Sequence, residues 1–64
     1  MNTSPAPTTA ERLARLTNGE LAVKLSLTRA AFLHGITQYQ RERAMREIND
    51  INAEYARRGE AVPA

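Results

Sequence analysis

Between Glu20 and Ile36 the chain reads ELAVKLSLTRAAFLHGI, and its apolar residues fall into two short helical sets. Leu21, Ala22 and Leu25 share a face at three- and four-residue spacing, and Phe32 and Ile36 share another. The pattern predicts one helix from Glu20 to about Leu25 and a second opening at Thr28, with Ser26, Leu27 and Thr28 forming a tight turn. In that arrangement Leu27 points inward at the corner. Thr28 caps the second helix by accepting from its unpaired N–H groups.

The flanking segments are also helical in pattern. Ala10, Leu13, Ala14 and Leu16 give an apolar side to a first helix running from Thr8 or Thr9 to about Leu16, with Arg12 and Arg15 facing out. Thr8 and Glu11 have capping-box spacing, and Asn18-Gly19 supplies a stop. A long C-terminal helix is expected over about 37–58. Glu42 with Arg46, Arg43 with Glu47, Arg46 with Asp50, and Glu54 with Arg58 place opposite charges four apart along it. Gly59 ends it after Arg57 and Arg58, which suit the negative end of the helix dipole. Gly35 falls within the helical pattern and costs it about 1 kcal/mol relative to Ala; it marks either a kink or a place where another backbone packs close. Residues 1–8, rich in Pro and small polar side chains, are expected to be disordered, and 60–64 to fray.

Along the long helix the apolar stripe changes direction. Phe32, Ile36 and Tyr39 lie together; Ala44, Ile48, Ile51 and Tyr55 form a second set, rotated by about 100° at ideal pitch. Two stripes imply two packing partners. The first is assigned to the preceding helices. The second meets another copy of the chain, giving a dimer interface of Ala44, Ile48, Ile51 and Tyr55, or folds back on the chain itself if the helix breaks near Gly35. Asn52 near that seam is placed to fix its register.

The Glu20–Ile36 stretch resembles the helix-turn-helix of bacterial and phage DNA-binding proteins. The matching positions are the Glu20-Leu21-Ala22 opening, then Leu25, Ser26, Leu27, Thr28, Arg29-Ala30 and Phe32, with Ile36 as the last core residue. The first turn residue in that family is usually Gly, because the backbone there takes positive φ. Ser26 at such a position is strained by about 1 kcal/mol. The resemblance implies an all-α, three-helix domain whose third helix enters a major groove. Arg29, Ala30, Leu33 and His34 would then face base edges, and Lys24 and Thr28 would meet phosphates. Gln38 and Arg41 would contact the backbone further along. A slighter likeness, LTNGELAVKLS over residues 16–26, is similar to a segment of the small Hha-type modulators, which act through nucleoid proteins.

Size and charge narrow the possibilities. Sixty-four residues without cysteine make one small domain with no disulfide or thiolate metal staple, so association with another chain is the expected route to stability. The net charge is +2, and the whole excess lies in residues 1–35: Arg12, Arg15, Lys24 and Arg29 against Glu11 and Glu20. That favours a nucleic-acid surface but is too small to establish one. The chain has neither an apolar run of membrane-spanning length nor a secretory signal pattern, which predicts a cytoplasmic protein. The single His34 has no Cys or second His to complete a metal site. Ser4 and Ser26 lack triad partners, and the glycines are isolated. No enzyme or cofactor is expected.

These features together predict a small all-α helix-turn-helix protein, with a long C-terminal helix that dimerises, binding double-stranded DNA as a regulator or as a phage or plasmid accessory protein. The competing expectation is a helical protein–protein adaptor, inhibitor or modulator of a larger complex. A structural subunit of a phage particle or filament is a third.

Overall fold

The computed structural model describes residues 8–64 and is all-helical over them, in the order α1 (Thr9–Ala14), α2 (Asn18–His34) and α3 (Gln38–Arg58). The expectation made for residues 1–7 lies outside the described residues. α2 and α3 form a helical hairpin joined at Gly35-Ile36-Thr37, and α1 packs chiefly against α3. No described helix is long and apolar enough to cross a membrane.

Each helix starts on a threonine. The Thr8 hydroxyl accepts from Glu11 N–H (3.2 Å) and opens α1. The Thr17 hydroxyl accepts from Glu20 N–H (3.1 Å), while Thr17 N–H donates to the Glu20 carboxylate (2.9 Å). This reciprocal capping box opens α2. Thr37 and Gln40 repeat the arrangement at α3. α3 stops at Gly59, whose φ of 70° is the left-handed conformation that glycine adopts without strain.

Three sequence expectations change here. Asn18 and Gly19 do not close the first helix; they form the first turn of α2, because Thr17-Asn18-Gly19-Glu20 is itself a start signal. Gly35 is not inside a helix but ends α2, at an extended φ of −63° and ψ of 126°. Its lack of a side chain serves packing, since a Cβ there would come within 2.8 Å of Arg41 Cγ and 3.2 Å of the Ala31 carbonyl oxygen. Most important, α2 runs unbroken through Ser26, Leu27 and Thr28, so the helix-turn-helix corner is absent. No Gly or Pro interrupts this run. Thr28 is buried in mid-helix and its hydroxyl donates to the Lys24 carbonyl (2.8 Å), which satisfies it without breaking the ladder. Leu27, expected to plug a corner, is 66% exposed.

The core is a single cluster of Leu13 from α1, Leu21 and Leu25 from α2, and Ile51 and Tyr55 from α3, with Leu16 and Ile48 packed on it. The second stripe of α3 is therefore intramolecular. Ala44, Ile51 and Tyr55 are buried against the chain's own helices and Ile48 is half-buried, which removes them as a dimer interface. The helix breaks at Gly35-Ile36-Thr37 and α3 folds back alongside α2, so the stripe meets α2, which is the fold-back alternative to a second copy. Ile36 and Tyr39, assigned to the first stripe, are 87% and 64% exposed at the hairpin turn. Within the core Tyr55 Oη has no hydrogen-bond partner among the described residues, and neither does the buried Oδ1 of Asn52.

Candidate functional site

The buried line of α2 is Leu21, Leu25 and Thr28, with the half-buried Phe32 continuing it. On the opposite side Val23, Leu27, Ala30 and His34 recur at the same four- and three-residue spacing, so they share a face turned away from α3. Leu33 lies beside them. Val23 is 61% exposed and Leu33 76%. A helix apolar on both sides ordinarily belongs inside an assembly, not at a water interface. Between Glu20 and His34 the charged side chains of α2 are Lys24 and Arg29, and neither sits on this outer line. Lys24 turns towards α3 and pairs with Glu47 at 3.0 Å. The outward side of α3, by contrast, carries Glu42, Arg46, Asn49 and Arg57 and reads as a solvated face.

The side chains predicted to read DNA do not converge. Thr28 is buried, Lys24 faces Glu47, and Arg29 is half-buried on the flank of α2. Ala30, Leu33 and His34 are exposed but spread over about 100° of the helix circumference. On α3, Gln38 donates to Glu42 (2.9 Å), and Arg41 Nη1 donates to the Gly35 carbonyl (3.0 Å), bracing the hairpin turn. With no corner to set a protruding recognition helix, these residues serve different faces.

A charged cluster, unforeseen as a unit, locks the other end of the hairpin. Arg58 donates through Nη2 to the carbonyls of Leu13 (3.0 Å) and Leu16 (2.6 Å) and through Nη1 to Asn18 Oδ1 (2.7 Å). Its Nε donates to Glu54, which also accepts from Arg57 at 2.7 and 2.9 Å. One guanidinium thus ties the end of α1 and the start of α2 to the end of α3. The two arginine donors hold the Glu54 carboxyl at about 2, against an ordinary 4.5. Glu54–Arg58 spacing was visible in the sequence; the carbonyls that Arg58 reaches, more than forty residues away, were not. The remaining predicted α3 ion pairs do not form, and Glu47 turns to Lys24 instead.

An open groove between α1 and α3 is floored by Leu13 and Leu16 and edged by Arg12, Tyr39, Arg43 and Arg46, with Glu47 and Asp50 interleaved. Lys24 of α2 also lines it and is paired with Glu47, so the four cations of the groove are partly neutralised by Glu47 and Asp50. Among the described residues no three His, Asp or Glu side chains gather to hold a metal ion. No protein-family model, curated protein or solved structure matches the chain.

Proposed function

We propose that this chain is a helical protein–protein interaction module, an adaptor that docks on another protein surface through the outer face of α2. The observation that carries this reading is the uncharged line of Val23, Leu27 and Ala30, with Leu33 beside it, on a helix whose opposite side already fills the core. Apolar side chains at such exposure form a patch of the kind that marks interaction sites. The weak net charge also suits a protein partner better than a polyanion, where affinity depends on neutralised phosphates.

Site-specific photo-cross-linking in the cells that make the protein tests the proposal. A photoreactive residue at Leu27 should give discrete protein adducts, and one at Ala53, on the solvated side of α3, should not. Binding to duplex DNA at low salt should be absent. A duplex affinity that falls steeply with salt and is lost in Arg29→Ala would overturn the adaptor reading in favour of DNA binding.

A further inference from the structure

We infer that the outer face of α2 pairs with the same face of a second copy, antiparallel, about a two-fold axis passing at Leu27. This names a partner for the surface proposed above and rests on that reading. Glu20, Leu27 and His34 are seven residues apart and lie along one edge of the face. Each outer residue stands about 10 Å from Leu27 along the helix axis. Turning a second helix over about Leu27 brings Glu20 of each copy opposite His34 of the other, while Leu27 meets itself. A parallel pairing would set Glu20 against Glu20, so charge selects the antiparallel form. The capping box uses one Glu20 oxygen, Oε1, which leaves the other for a partner.

The side chains beside this edge suit close approach. Gly19, Ser26 and Ala30 are small and exposed, and allow two helix backbones to come near one another. Val23, about 40° round the helix from Leu27, then packs within the contact. α3 offers no comparable seam, because its outward side carries Glu42, Arg46 and Arg57. One helix of seventeen residues against its copy buries less than a standard interface of about 1,600 Å², so the association is weak and concentration-dependent.

Sedimentation equilibrium and a cysteine scan test the pairing. The wild-type mass should rise from one chain towards two over about 10 to 500 µM, the range of a small apolar interface. The chain has no native cysteine, so Leu27→Cys should form a disulfide-linked dimer under mild oxidation while Ala53→Cys stays monomeric. Leu27→Asp sets two carboxylates on the axis and should abolish association without loss of helical circular dichroism, since Leu27 makes no part of the core. Glu20→Gln should weaken the dimer by about threefold at most, the scale of an exposed charged contact. Its capping box should survive, because Gln40 fills the same role at α3. A wild-type chain that stays monomeric throughout, or Ala53→Cys linking as fast as Leu27→Cys, would overturn self-pairing. In either case, adducts of Leu27 to other proteins alone would leave the adaptor reading standing, and no Leu27 adducts of any kind would remove both.

Discussion

Glu54 is the residue whose charge matters most to the fold, because both arginines at the end of α3 converge on it. It is 5% exposed, and its carboxyl lies far below its ordinary value because Arg57 and Arg58 donate to the ionised form. The unfolded chain protonates Glu54 near 4.5 and the folded chain only near 2. Its contribution is therefore complete above about pH 5 and is lost as pH falls from 4.5 towards 2. Glu54→Gln should be less stable than wild type at pH 7 and should flatten the acid limb of a stability–pH profile measured by urea unfolding. A second prediction concerns its partner. Arg58→Ala strips the Leu13 and Leu16 carbonyls of their donor and should cost about 2 kcal/mol, the range for hydrogen bonds to a charged group. Arg58→Lys should recover only part of this, since an ammonium lacks the planar fork that spans two carbonyls and Asn18 at once. The loss should appear in hydrogen exchange as earlier opening of α1 than of the hairpin.

At the scale of helices, the decisive question is how the backbone passes Ser26. At a turn with positive φ, Gly would be the better residue there; in the middle of an exposed helical turn it is worse. Ser26 lies in α2 with no positive-φ residue other than Gly59 in the described chain. Ser26→Gly should therefore destabilise by about 0.5 kcal/mol and Ser26→Ala should stabilise by a similar amount, following intrinsic helix propensity. Thermal or urea unfolding of the two variants gives opposite signs, and a helix-turn-helix corner would instead favour the glycine. The all-helical class, the α1 start at Thr8 and the α3 stop at Gly59 were legible in the sequence because caps act locally. The Thr17–Glu20 box is equally local, but Asn18-Gly19 beside it looks like a helix stop; the Thr37–Gln40 box is masked because the helical pattern runs on through Gly35. The unbroken α2 was hidden for a different reason. Its apolar residues occupy two opposite faces, so any short window selects whichever subset suits a bend. Only the return of α3 alongside it decides which face is core.

For the whole molecule, the outer face of α2 links stability to concentration. The fold rests on a core of five buried side chains, Leu13, Leu21, Leu25, Ile51 and Tyr55, drawn from all three helices. A core this small leaves a 64-residue chain near the lower limit of independent stability. A second copy that binds only the folded form adds stability by mass action. Well above the dissociation constant, each tenfold rise in concentration contributes about 1.4 kcal/mol per dimer, or about 0.7 per chain. For a domain of this size that corresponds to a rise in Tm of about 3 to 6 °C. Differential scanning calorimetry across two decades of concentration should show the wild-type Tm rising, and steepening towards this slope at the highest concentrations. Leu27→Asp should show no such rise, and its Tm should lie only a few degrees below the wild type extrapolated to high dilution, because Leu27 is largely exposed and outside the core and Asp is the poorer helix former. A wild-type Tm independent of concentration would mean that the three helices are self-sufficient, and that α2 keeps its apolar face for a partner of another sequence.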